Sequence, residues 1–370
     1  MPDEGPDFHH RKRELKVAAV GLGNATSIFH VPAVRRLEGA ELVGGADLSA
    51  ERRAAWERET GSPAYASLDE LLERTAPDVV VVATPPDAHV EPCLRALAAG
   101  CHVLCEKPLA PSLDDVDRIL RAAEDAGRLV SVNLEFREHP IFRAVRDAVT
   151  SGEHGRLEFC QVWQLLDLPP WEEPEAWRAR MADRALLEGG IHLVDLLLAT
   201  VGDRPVAVTA QHSAGFHEQR DADALQLVTV EFPGGRLGQL TQNRLTQAAM
   251  RYLEVRADCE RASLRASFGG RAYVRLGLKR AENAGARLDL GLSGLAWVER
   301  GDRRTTLARN PRDAGVVGAT RLLAGLADAI RDGGDPPSSG HEARDVHAVI
   351  EAAYESARSG RRIELATAPA

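Results

Sequence analysis

No apolar run in this chain is long enough to cross a bilayer as a helix. Residues 186–201 come closest, but Glu188, His192 and Asp195 interrupt them. Residues 1–14 lack the apolar core of a signal sequence. Polar, with Pro2, Pro6 and a His9-His10 pair, they read as a disordered tail. Cysteine is scarce. Five residues, an odd number without Cys-x-x-Cys spacing, argue against a disulfide framework and for reduced thiols in a cytoplasm. Cys101 and Cys105 share one apolar segment, where core packing outweighs metal binding. Positive charge is in deficit: 46 Lys and Arg against 55 Asp and Glu leave a net charge of −9, which disfavours non-specific nucleic-acid binding. The helical histidine pair of many zinc sites is missing, so no metal is expected. There is no internal repeat.

At 370 residues the chain is long enough for two domains with substantial cores. Up to about residue 150, strand and helix patterns alternate. Apolar runs at Leu15–Val20, 42–46, 79–83, 101–105 and 129–133 are separated by helical spacing, which predicts a doubly wound parallel sheet. The pattern then changes. Strand-like runs at 157–168, 206–212, 225–232, 236–245, 252–257 and 262–267 predict a large, mostly antiparallel sheet with a hairpin at Pro233-Gly234-Gly235. Helical spacing returns at about 315–332 and 341–358, before a last strand at 361–365. The expected division is a tail (1–14), a dinucleotide-binding Rossmann domain (15–135) and a substrate-binding and oligomerisation domain (136–370), whose final helices return to the first domain.

Chemistry concentrates in three stretches. After the first strand comes Gly21-Leu22-Gly23-Asn24-Ala25-Thr26 and a helix, the start of a dinucleotide fingerprint. Thr26 stands where a third Gly or Ala is usual. The next strand ends at Asp47, whose carboxylate can accept both ribose hydroxyls and repel a 2′-phosphate. That favours NAD over NADP, although Arg52 and Arg53 lie near enough to rescue a phosphate. In the second stretch, Lys107 sits past the carboxyl end of a buried parallel strand, where open α/β sheets bind ligands, and Pro108 restricts its backbone. In the third, helical spacing puts Glu188, His192 and Asp195 on one face, with His192 suited to proton transfer near neutrality and a carboxylate one turn away to orient it. Gly189 and Gly190 cost helix stability, about 1 kcal/mol each, and suggest that a ligand or cofactor approaches the helix start.

These segments resemble the Gfo/Idh/MocA family of nicotinamide-dependent oxidoreductases over almost the whole chain. The likeness rests on Gly21-Leu22-Gly23 with His30-Val31-Pro32-Ala33, on Ala83-Thr84-Pro85-Pro86-Asp87-Ala88-His89, on Glu106-Lys107-Pro108 and on Gly190-Ile191-His192-Leu193-Val194-Asp195. The carboxyl-terminal Ser339-Gly340-His341-Glu342 also fits. The resemblance implies hydride exchange between nicotinamide and a secondary hydroxyl or ketone of a sugar, sugar derivative or cyclitol. It implies cofactor contacts from Gly21, Gly23, Asn24, Ala25, Thr26, Asp47, Thr84, Pro85, His89, Glu106 and Lys107, and a cis Lys107–Pro108 bond. Lys107, His192 and Glu188 match the catalytic positions, and Asn133 and Arg137 border the substrate. A homodimer or homotetramer through the second sheet is implied as well.

Two departures stand out. Glu188 replaces the usual Asp, and Ala182-Asp183-Arg184 replaces a glycine run; Arg184 either recognises an anionic group on the substrate or pairs with Asp183. Trp163, Trp171 and Trp177 are candidates for stacking on a sugar or for core packing. Two other readings remain open. One is glycoside cleavage through transient oxidation by bound NAD; the other is a non-catalytic NAD-binding sensor.

Overall fold

The structure, a computed structural model, describes residues 14–166, 185–213, 223–246, 253–268, 271–277, 285–291 and 294–365, with 271–277 and 285–291 as backbone alone. The expected amino-terminal tail, Trp171, Trp177 and Arg184 lie outside the described residues, residue 14 excepted.

The first sheet has six parallel strands: β1 (Leu15–Val20), β2 (Ala40–Ala46), β3 (Ala64–Tyr65), β4 (Val79–Val82), β5 (His102–Cys105) and β6 (Val130–Val132), in the order β3-β2-β1-β4-β5-β6. All four β4 side chains are buried, as befits a strand covered on both faces. Each such valine contributes about 1.5–3 kcal/mol relative to exposure. The helices between strands begin at polar caps. Ser49, Ser67 and Ser112 accept the amides of Arg52, Glu70 and Asp115, opening α2 (Ala50–Thr60), α3 (Leu68–Thr75) and α5 (Leu113–Ala126). The helix after β1 runs over residues 24–36. Its Thr26–His30 turn is π-wound, and Val31–Arg36 (α1) continues it. Strand order reverses between β1 and β4, so their carboxyl ends frame the crevice where such sheets bind ligands.

The second sheet has nine strands: β7 (Leu157–Leu165), β8 (Ala207–Ser213), β9 (Leu225–Glu231), β10 (Leu237–Asn243), β11 (Leu253–Cys259), β12 (Ala262–Phe268), β15 (Leu295–Arg300), β16 (Arg303–Arg309) and β17 (Ile363–Glu364). β13 (Arg271–Gly277) and β14 (Gly285–Gly291) pair as a separate hairpin. All contacts in the large sheet are antiparallel except β7 with β10. The strand-like runs of the sequence pass from 262–267 to 361–365, and β13–β16 between them were not expected. β16 is a sheet edge whose side chains are almost all exposed, so it carries no apolar alternation to read.

Inward residues of β7 alternate with outward ones. Cys160, Val162 and Gln164 are buried, whereas Trp163 faces the opposite side of the sheet. The inner face is covered by α6 (Pro140–Thr150) and α8 (Ile191–Val201). The last helices, α9 (Ala314–Asp332) and α10 (Gly340–Ser359), turn back to the first sheet. Val132 N–H donates to Ser338 O at 2.8 Å, and Ser131 Oγ donates to Pro337 O at 2.9 Å, tying the start of α10 to β6.

Candidate active site

At the carboxyl end of β1, Gly21 has a φ of +86°, and a Cβ there would lie 2.5 Å from Ala83 O. Only glycine fits this turn. At Gly23 the nearest protein atom to an added Cβ is 3.9 Å away, so the backbone there is open to an external group. Thr26 compensates for the missing third glycine: its Oγ1 donates to Gly21 O at 2.5 Å and is buried between helix and strand. Asp47 closes the other side. Its Oδ2 accepts from Leu22 N at 2.8 Å and its Oδ1 from Ser49 N at 2.8 Å. Arg53 donates to the carbonyls of Asp47 and Leu48, which takes it away from any phosphate, whereas Arg52 stands 3.6 Å from the Asp47 carboxylate on an exposed side chain. A cavity of about 470 Å³ lies among Gly21, Asp47, Leu48, Ser67, Thr84 and Pro85. Donor set, open glycine and cavity fit the adenosine half of a dinucleotide.

Two expected cofactor contacts are internal instead. His89 is fully buried, its ring nitrogens facing Pro108 O at 2.8 Å and Thr84 O at 2.7 Å, so it staples two loops together. The Glu106 carboxylate accepts from His30 Nε2 and from Asn133 Nδ2, each at 2.8 Å, and from the Lys107 amide at 3.3 Å. Burial alone would raise this carboxyl. The hydrogen bond and charge of His30, with Asn133 and Lys107 adding, bring it below its ordinary range. Asn133 thus holds Glu106 with its amide group.

Beyond β5 the Lys107–Pro108 bond is cis. Lys107 Nζ donates to Glu188 O at 2.8 Å, across 81 residues of sequence. His192 opens α8. It is buried and stacks on Phe136 with ring centroids 4.3 Å apart, and its Nδ1 has no hydrogen-bond partner among the described residues. Burial, then the charges of Lys107 and His139, lower its pKa well below the usual imidazole value, so it is neutral at neutral pH. Nearby, burial and the Glu106 charge push the Glu135 carboxyl up to about 8.

The carboxylates expected to orient His192 are engaged elsewhere. Glu188 ends α7 (Ala185–Glu188), and its Oε2 accepts from Arg244 at 2.9 Å. Asp195 is fully buried under three hydrogen bonds from Arg137, whose remaining nitrogen reaches Glu342 at 2.9 Å. Arg137, expected beside the substrate, is therefore a buried tie between α8 and α10. The glycine pair also has an internal cause. A Cβ at Gly189 would lie 2.8 Å from Arg244 Nη2, and one at Gly190 would lie 2.7 Å from Leu186 Cδ1 of α7 and 2.9 Å from Gln242 Oε1, so neighbouring side chains of the protein account for the space. Arg244 escaped the sequence reading because nothing local marks it: it follows β10, 56 residues from its partner. Among the described residues no three metal-ligating side chains converge.

Comparison with known proteins adds an independent line. Residues 15–134 match the model of the GFO/IDH/MocA oxidoreductase family, NAD-binding Rossmann fold, and residues 142–265 match the GFO/IDH/MocA C-terminal domain. The chain is 34% identical to a 1,5-anhydro-D-fructose reductase of Ensifer adhaerens over 60% of its own length and 67% of the relative's. It is 27% identical to a D-apiose dehydrogenase of Paraburkholderia graminis over 95% and 90% of the two lengths. An Agrobacterium radiobacter oxidoreductase, solved with NAD+, L-tartaric acid and magnesium, shares the fold with a TM-score of 0.79 at 20% identity, covering 95% of this chain and 98% of that one.

Proposed function

The chain belongs to the Gfo/Idh/MocA family of NAD-binding oxidoreductases, and from that premise we propose that it moves a hydride between nicotinamide and a secondary hydroxyl or ketone of a sugar, sugar derivative or cyclitol. The observation that carries the site assignment is the convergence of Lys107 and His192 on one turn. The Lys107 ammonium reaches the carbonyl of Glu188, four residues before His192, beside the crevice framed by β1 and β4. Reductases and dehydrogenases of anhydrofructose, apiose and inositols among the relatives support the substrate class.

In this reading residues 15–135 hold the cofactor and 136–370 hold the substrate. Gly21 and Gly23 let the backbone meet the pyrophosphate beside Asn24, Ala25 and Thr26, Thr84 and Pro85 line the cavity, and Asp47 accepts the ribose hydroxyls, which favours NAD over NADP. NAD held by these residues would supply the hydride acceptor or donor. In the oxidative direction neutral His192 takes the hydroxyl proton. Lys107 donates a hydrogen bond to the same oxygen as negative charge develops. Phe136 holds the imidazole plane from below, and Asn133 acts through Glu106.

The open face of the nine-stranded sheet supports a homodimer or homotetramer. Leu227 and Leu237 are exposed there, and Trp163 lies on that side. Five free cysteines, four of them buried, support a reducing cytoplasmic setting. No helix among the described residues is long and apolar enough to cross a membrane.

The test follows nicotinamide absorbance while pure protein and NAD meet free sugars, sugar phosphates, glycosides and cyclitols. A hydroxyl-dependent rise in NADH that vanishes in Lys107→Ala is expected. Cleavage of a glycoside without net NADH would replace this reading with transient redox catalysis.

A further inference from the structure

Lys107 is bracketed by carboxylates. Glu106 precedes it, Glu188 supplies the carbonyl that holds it, and Glu135 acts on it from the turn after β6; His192 faces it from α8. A lysine so placed would ordinarily form an ion pair. Its described hydrogen bond is instead to a neutral carbonyl, because each carboxylate is otherwise engaged. Glu106 is held by His30 and Asn133. Glu135 keeps its proton near neutrality. Glu188 is held by Arg244, a side chain only 4% exposed on the residue that follows β10. The same guanidinium nitrogen also donates to Ala185 O at 3.2 Å, and the missing side chain of Gly189 makes room for it.

We propose that Arg244 is a positioning residue for hydride transfer: by holding the Glu188 carboxylate away from Lys107, it leaves the ammonium on a neutral carbonyl with its charge available to the substrate oxygen. This deepens the proposed function and rests on it. An ion-paired lysine stabilises a developing alkoxide less than an unpaired one, since the carboxylate already satisfies its field. Glu188 is the group to restrain because its own carbonyl keeps Nζ at 2.8 Å, within reach of its side chain after a rotation. Arg suits this task. Its Nη2 alone meets a carboxylate and a carbonyl at once, and a guanidinium keeps its charge when buried.

The experiment compares wild type, Arg244→Met, Arg244→Lys and the double variant Arg244→Met/Glu188→Gln. Turnover of the substrate found by the NADH screen is one readout. The other is the side-chain carbon-13 spectrum of protein labelled at lysine. The chain has four lysines, 12, 16, 107 and 279, so the Lys107 signal is assigned by its loss in Lys107→Arg. The proposal expects Arg244→Met to lower kcat at least tenfold with a smaller change in KM, to move the alkaline limb of kcat/KM to higher pH, and to shift the Lys107 signal. Arg244→Lys restores most of kcat. The double variant, with no free carboxylate to trap the lysine, recovers both kcat and the signal relative to Arg244→Met. A double variant no better than Arg244→Met in either readout overturns the proposal, as does an Arg244→Met protein with wild-type kcat and an unmoved signal. If the wild type turns over nothing yet the Lys107 signal shifts and recovers as described, Arg244 still keeps Glu188 off Lys107, and it is the hydride-transfer reading that falls.

Discussion

At the nucleotide end of the cleft the contacts are mostly backbone contacts: Gly21 packs against the Ala83 carbonyl, and Asp47 gathers the amides of Leu22 and Ser49. At the substrate end they are mostly side-chain ion pairs: Arg244 with Glu188, and Arg137 with Asp195 and Glu342. The first end is assembled from short segments at adjacent strand ends. The second draws α7, α8, α10 and the end of β10 together. Backbone geometry tolerates changes of side chain around it, whereas a buried ion pair loses its partner with a single substitution. The nucleotide end is therefore expected to be robust and generic, and the substrate end fragile and particular to this chain.

Lys107→Ala separates the two ends most strongly. Loss of a donor to the developing oxyanion should cost about a thousandfold in kcat, with a much smaller loss of NAD affinity from its cofactor contact. A variant with near wild-type turnover would remove Lys107 from the chemistry. Arg137→Met comes next, and its effect falls on stability. It leaves the fully buried Asp195 carboxylate uncompensated, at a cost of about 3–5 kcal/mol in urea unfolding. If unfolding is unchanged and the substrate KM rises instead, Arg137 belongs to the pocket after all. Glu135→Gln tests the buried carboxyl. Its folded pKa of about 8 lies above its ordinary value of 4.5, so between these values the folded state keeps a proton that the unfolded state loses. Its contribution is fully present below pH 4.5 and is lost as pH rises through 8. The variant should match wild type in Tm at pH 4.5 and exceed it by a few degrees, roughly, at pH 8.5. Equal melting curves at both values would place the carboxyl in a solvated setting.

The same contrast explains what was legible beforehand. Five of the six parallel strands, the helices between them and Asp47 at the end of β2 stand out because each is marked by residues within a few positions of one another: an apolar run, a serine before a helix, a glycine after one. Lys107 and His192 were legible as isolated groups on strand and helix ends. Their surroundings were not. Glu188, His192 and Asp195 share a helical spacing that suggests one cooperating face, yet their carboxylates turn to Arg244 and Arg137, which lie 56 and 58 residues away. Gly189 and Gly190 gave a true signal, close approach, without revealing that the approaching atoms belong to Arg244, Leu186 and Gln242. β16 stayed hidden because an exposed edge strand of arginine and threonine has no buried face to alternate with.

The smallest expected effect lies at the robust end, in Asp47→Asn. The amide keeps one oxygen acceptor for the neighbouring backbone N–H groups, so the loop should persist, but the charge that meets the ribose hydroxyls is lost. A hydrogen bond to a charged group contributes about 1.5–3 kcal/mol, so the NAD Michaelis constant should rise roughly tenfold or somewhat more. The NADP constant should fall, because repulsion of the 2′-phosphate disappears and Arg52, now 3.6 Å from Asp47 on an exposed side chain, is released toward it. Arg53 cannot substitute, since its guanidinium stays on the carbonyls of Asp47 and Leu48. Asp47→Asn/Arg52→Ala should consequently lose the gain for NADP while keeping the loss for NAD. An NAD-to-NADP ratio unchanged in the single variant would remove Asp47 from cofactor selection, and a double variant that still gains NADP would show that Arg52 is not the phosphate's partner.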